Sequence, residues 1–237
     1  MKTIFLRMAT ILGATFAVSA AAYAGEAVQE QMNIWNLIYK SGGVGYFIIF
    51  LSFVGLALVI EHAVTIRREK LLPHYFVVEI EDLFENEQYE EALHLCESED
   101  NLLSRVVGAG LSKIDVGWDA MQESMAEAAE ESAIGLNQKI SYISLIGAIA
   151  PMFGLLGTVQ GMVMSFAQIE ALGSAATASK LAGGIYIALL TTVEGLLVAI
   201  PMMAAYHYFR NKVMRLDLDA GVIAGDLMRR FRPTQKA

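Results

Sequence analysis

Cysteine is nearly missing: Cys96 is the single thiol in 237 residues, so no disulfide can form within the chain. His94 and Cys96 stand close together, but two ligands do not make a zinc site, and their spacing suits neighbours on one helix. No GxxxxGK[ST] loop and no triad arrangement are present, so nothing points to nucleotide or hydrolytic chemistry, and no enzyme is expected. Charge is scarce too. Only 18% of residues are charged, where soluble domains carry about 25%. What is abundant is apolar surface: 55% of residues are hydrophobic and the mean hydropathy is +0.47.

The apolar residues come in runs, which is the signature of a membrane protein. Gly42 to Ile60 has no charge, and the basic cluster Arg67, Arg68, Lys70 follows. Ile140 to Ile169 has none either, between Lys139 and Glu170. Leu181 to Phe209 is interrupted only by Glu194 and His207, and ends at Arg210, Lys212 and Arg215. Each run is long enough to cross a bilayer. The second would extend roughly 45 Å as a helix, beyond the ~30 Å hydrocarbon core, so part of it should project further.

Residues 1–24 read as a cleaved leader: Lys2 and Arg7, then apolar Met8 to Ala22, then Ala22-Tyr23-Ala24 before Gly25. Cleavage would remove two positive charges and take the net charge from −8 to −10. Basic residues after the first and third runs belong in the cytoplasm. The expected organisation is therefore a periplasmic segment 25–42, a transmembrane helix 43–66, and an acidic helical cytoplasmic region 67–138. A second span 139–169, a periplasmic loop 170–180, a third span 181–209 and a cytoplasmic helix or tail 210–237 follow. An all-α, multi-pass membrane protein is expected, with its N-terminus outside and its C-terminus in the cytoplasm.

The segment Leu71 to Asn137 holds sixteen acids against Arg105 and Lys113, a net of −14. That sign argues against nucleic-acid binding. The acids form either a docking surface or, more simply, a solvated face. Glu79 to Glu97 reads as one helix with Ile80, Leu83, Phe84, Ala92, Leu93 and Cys96 on apolar stripes. Ala120 to Lys139 is rich in strong helix formers and meets no proline before Pro151, so one long helix should enter the second span.

Within the second span, Gly147, Pro151, Gly154, Thr158, Gly161 and Ser165 recur at spacings of three and four, on one expected face. The third span offers Ala188, Thr192, Gly195 and Ala199. Small residues let membrane helices approach closely, which is the simple reading. Depth adds a second one. Thr158 lies 19 residues from Lys139, and Thr192 lies 18 residues from Arg210, so both hydroxyls should sit near mid-membrane. Glu194 belongs near the same level, where a charge costs roughly 2.5–3.5 kcal/mol unless it faces protein, water or an ion path. At 100° per residue Thr192 and Glu194 cannot both point at one axis, while Thr191 lies closer to Glu194 in azimuth. Thr158, Thr192, Glu194 and Thr191 are the candidate ion-pathway residues. Pro151 frees the carbonyl of Gly147, and Pro201 that of Leu197, as water sites or flex points.

Gly154-Leu155-Leu156-Gly157-Thr158-Val159-x-Gly161-Met162 resembles the signature of the MotA/TolQ/ExbB proton-channel family. So does Gly184-Ile185-x-x-Ala188-Leu189-Leu190-Thr191-Thr192-x-x-Gly195-Leu196-x-x-Ala199-Ile200-Pro201. Three spans and the long insert after the first resemble the ExbB/TolQ branch. The resemblance implies a homopentamer whose last two helices line a pore. It also implies two copies of a single-span ExbD/TolR-like partner in that pore, each with a proton-accepting aspartate, and an effector like TonB or TolA. Such a motor turns proton or sodium flow into work on periplasmic or outer-membrane targets, as in biopolymer transport. Thr158 and Thr192 match the family's pore-lining threonines. Ile187 stands where ExbB-type members often carry a glutamate, and Glu194 lies seven residues later. The rival readings are a flagellar-type, MotA-like stator subunit, which would keep an N-terminal span, and a structural scaffold without ion conduction.

Overall fold

The computed structural model describes residues 42–173 and 178–233, with no side chains for 178–180. The expected leader 1–24 and the expected segment 25–42 that follows it, apart from Gly42, lie outside the described residues. Every regular element among those described is helical: α1 (Gly42–Thr65), α2 (Arg68–Leu71), α3 (His74–Glu85), α4 (Tyr89–Ser98), α5 (Leu102–Leu111), α6 (Trp118–Leu172) and α7 (Ala178–Met228). A 3-10 turn, Arg229–Phe231, closes α7. α1, α6 and α7 are each long and apolar enough to cross a membrane.

The expected long helix is a single element. α6 begins just after Gly117, whose φ of 126° only glycine adopts comfortably, and Asp119 sits in its first turn. It runs through Pro151 for 55 residues, about 80 Å of helix. α7 likewise carries Pro201 inside the helix. α6 continues to Leu172 and α7 starts at Ala178.

One sequence expectation is corrected. Glu79 to Glu97 is not one helix but two, α3 and α4, separated at Asn86 to Gln88. Asn86 ends α3 with its Nδ2 donating to Asp82 O at 2.9 Å, and Glu87 takes a φ of +58°. That left-handed residue turns the chain so that both apolar stripes can be buried: Phe76, Ile80 and Phe84 from α3, Ala92 and Cys96 from α4.

The chain forms two compact units. The larger, 48–154 with 193–237, contains most of α1, the short helices, the first part of α6 and the later part of α7. Its core gathers Phe76, Ile80, Phe84, Leu103, Val106, Val107, Met121 and Met228. α5 is started by a reciprocal cap: Ser104 N donates to Asn101 Oδ1 at 2.8 Å and Asn101 N to Ser104 Oγ at 3.2 Å. Gly110 of α5 leaves room for Met125 and Met228, since a Cβ there would lie 2.7 Å from Met125 Cγ and 2.8 Å from Met228 Cε. Phe231 stands edge-on to Phe84 and Tyr89, with ring centres 5.5 and 5.3 Å away, and the Arg230 guanidinium covers Phe84 at 5.3 Å. The C-terminal turn is thereby fastened to the helical bundle. In the same unit His62 is buried in α1, its Nδ1 at 2.6 Å from Leu58 O and its ring 6.2 Å from that of Phe209.

The smaller unit, 42–47 with 155–192, holds the end of α6 and the start of α7. In both units large apolar side chains face outward. Phe50, Phe53, Leu56 and Ile60 of α1 and Leu155, Val163, Phe166 and Leu189 are all at least half exposed. Water would reject such a surface, whereas lipid or neighbouring membrane helices would not.

Candidate functional site

In the smaller unit, α6 and α7 pair antiparallel over side chains almost too small to notice. A Cβ on Gly161 would lie 2.6 Å from the carbonyl oxygen of Gly184 and 2.9 Å from Ala188 Cβ. A Cβ on Gly184 would lie 2.7 Å from Gly161 O and would collide with Ser165 Oγ. Ser165 is buried and its hydroxyl reaches Gly161 O at 3.0 Å and Leu181 O at 3.3 Å, one carbonyl on each helix. Gly157 meets Thr191, whose side chain is wholly buried.

The larger unit repeats the pattern. Gly195 faces Ala150 O, 2.6 Å from where a Cβ would stand, and Gly154 Cα, at 3.3 Å. Gly147 faces Met203 Sδ at 2.9 Å by the same measure. Gly55 of α1 faces Met202 Sδ at 2.7 Å and Ile146 Cγ2 at 3.5 Å.

The predicted stripe therefore divides. Gly147, Gly154, Gly161 and Ser165 are buried, with Ala150 and Gly157 completing their rows, whereas Pro151 and Thr158 are only half-buried. From Gly147 to Gly161 the steps alternate three and four, a seven-residue repeat that suits two helices in close contact. Gly157 and Gly184 were legible only as motif letters. The signal that would have found Gly157 is the row Gly147, Ala150, Gly154, Gly157, Gly161 along α6. On α7, Gly195 is buried and Pro201 is exposed.

The hydroxyls fall into two classes. Thr191 and Ser165 lie inside the helix contact. Thr158 and Thr192 remain half-exposed. Thr158 Oγ1 donates to Leu155 O at 2.6 Å, and Thr192 Oγ1 to Ala188 O at 3.4 Å. A hydroxyl whose proton is bonded into its own helix still offers lone pairs outward. Around Thr158 the outward neighbours Leu155 and Val159 are apolar and exposed, as Leu189 and Val193 are around Thr192. Each is a hydroxyl set in a hydrocarbon-like surface. Glu194 is half-buried and directly precedes Gly195 in the larger unit. Among the described residues no cluster of three or more His, Cys, Asp or Glu could hold a metal ion.

Comparison with known proteins matches residues 98–220 to the model of the MotA/TolQ/ExbB proton channel family. The chain is 27% identical over 178 residues to a biopolymer transport ExbB homolog of Methanothermobacter thermautotrophicus, covering 74% of this chain and 63% of that relative. It is 39% identical over 75 residues to the biopolymer transport protein exbB1 of Vibrio cholerae, 32% of this chain and 33% of the relative. It is 37% identical over 102 residues to the biopolymer transport protein ExbB of Neisseria gonorrhoeae, 42% of this chain and 44% of the relative. The chain thus spans less than two thirds of each of these relatives. The match takes in α5, α6 and most of α7, the helices that carry both threonines and both rows of glycine contacts, and the chain belongs to the MotA/TolQ/ExbB proton channel family.

Proposed function

We propose that this chain is the pore-forming subunit of an ExbB/TolQ-like motor in a bacterial inner membrane. Several copies, five by family resemblance, surround an axis, and α6 and α7 form its wall. Two ExbD/TolR-like helices occupy the axis, and the work is delivered to a biopolymer-transport target through a TonB- or TolA-like effector. The observation that carries this reading is the division of the hydroxyls. Thr158 and Thr192 are available to something outside the protomer, on surfaces otherwise suited to lipid tails, while Thr191 is fully buried and serves the wall from behind.

The chemistry follows from that placement. An ionised aspartate on a partner helix is costly against an apolar wall. A proton, or a sodium ion, neutralises it. The protonated acid can then donate to a threonine oxygen whose own hydrogen is already committed to its helix. Glu194 supplies a further carboxyl for the path, in place of the family glutamate whose position holds Ile187. Each charge crossing the membrane yields about 2.3 kcal/mol per 100 mV, so a few ions suffice to turn one set of helices against the other.

The test is ion flux into liposomes containing the chain with its partner. Thr158→Val and Glu194→Gln should each cut proton-driven flux by about tenfold or more while the oligomer's mass in mild detergent stays unchanged. Undiminished flux in both variants would leave only a scaffold.

A further inference from the structure

In the larger unit a cavity of about 420 Å³ opens where α1 ends, between α2 and the start of α5. We propose that it binds the headgroup of a zwitterionic aminophospholipid, of the phosphatidylethanolamine type. This inference rests on the membrane character of the chain and not on the ion path.

Position comes first. α1 is 24 residues long, about 36 Å, which exceeds the ~30 Å hydrocarbon core. Arg67 and Lys70, which follow its end at Thr65, therefore lie in the headgroup layer. Both line the cavity. Arg67 is steadied by its Nε donating to Ala63 O at 3.1 Å, which leaves its terminal nitrogens for a ligand.

A third donor comes from Asn101, also in the lining. This residue is only 5% exposed. Its Oδ1 is committed to capping α5, and its Nδ2 has no hydrogen-bond partner among the described residues. An orphaned buried donor costs about 1–3 kcal/mol, which a phosphate oxygen would relieve.

The same cavity is lined by acids, and this selects the ligand. Glu99 accepts from Tyr75 Oη–H at 3.0 Å, and Asp100 from Arg105 at 2.6 Å. The Arg105 guanidinium holds the Asp100 carboxyl below the usual carboxylate range, and the Lys70 charge adds to this. Glu69 is a third acid in the lining. A bare anion would meet three carboxylates, and a bare cation would meet Arg67 and Lys70. A phosphate with a primary ammonium two carbons away satisfies both sets, and unlike a trimethylammonium it can donate hydrogen bonds to the acids.

The test uses the full chain in nanodiscs of phosphatidylcholine alone, or mixed with phosphatidylethanolamine or phosphatidylglycerol, followed by native mass spectrometry of retained lipid. Phosphatidylethanolamine should be retained about tenfold over the other two, the weight of one or two charge-assisted hydrogen bonds. Asn101→Asp keeps the helix cap but loses the donor, and should abolish that preference while the helical fold is retained. Lys70→Gln, at an exposed position, provides a second variant if the first folds poorly, with the same expected loss. Equal retention of phosphatidylglycerol would show a plain anion site and overturn the assignment, as would equal retention of phosphatidylcholine. Soluble phosphoethanolamine binding as tightly as the lipid would overturn the lipid source in favour of a free ligand.

Discussion

Gly157 of α6 stands against Thr191 of α7 so closely that a single added carbon would lie 2.6 Å from Thr191 Cβ, with Thr191 Oγ1 closer still. No side chain can grow at either place without parting the helices. Gly157→Ala should therefore destabilise the protein by about 1–3 kcal/mol, the usual cost of overpacking. Adding Thr191→Ala removes the nearest oxygen but leaves the Cβ, so the double variant should recover only part of the loss. Thermal unfolding of both variants in detergent measures the difference.

Not every tight glycine is equally intolerant. At Gly195 the obstacle is the carbonyl oxygen of Ala150, which is backbone and cannot swing aside. At Gly55 it is the thioether of Met202, which can take another rotamer. Gly195→Ala is expected to cost about 2–3 kcal/mol and Gly55→Ala under about 1 kcal/mol. Reversal of that order in a melting experiment would mean that the backbone contact is not held.

Cys96 gives a chemical readout of the helical bundle. Burial pushes its thiol up to about 12, and the Glu97 charge adds to this. An unfolded thiol titrates near 8.5. The folded pKa is raised, so the neutral thiol contributes stability that is complete below the unfolded value and is lost as the pH climbs toward about 12. A maleimide at pH 8 should label native protein far more slowly than denatured protein. As the sole thiol in the chain, Cys96 can be followed without background.

Phe231 should matter out of proportion to its place near the C-terminus. Phe231→Ala removes two edge-on ring contacts, with Phe84 and Tyr89. A loss of about 1–2 kcal/mol is expected, together with faster hydrogen exchange in α3 and α4. Unchanged exchange there would show that the C-terminal turn does not restrain the bundle.

The long helices were readable because apolar runs bounded by Lys139, Glu170 and Arg210 leave little choice of element. The split between α3 and α4 was not. Asn86-Glu87-Gln88 holds neither glycine nor proline, and a glutamate does not by itself favour the positive φ that Glu87 adopts. The division between Thr191 and Thr192 was hidden for another reason. Neighbours on a helix differ by 100°, and which of them meets α6 depends on the row of Gly157 and Gly161, a register set by two helices together. The spacing of Thr158 and Thr192 from the basic helix ends was legible, because depth needs only counting.

The glycine and alanine rows between α6 and α7 have a thermal consequence. Such residues have no rotamers to surrender on contact, whereas the methionines and phenylalanines of the bundle each surrender several. Heat should thus tax the bundle sooner than the close helix contact. On warming, the protein is expected to loosen first around Phe84, Met125 and Met228, while its membrane helices stay joined.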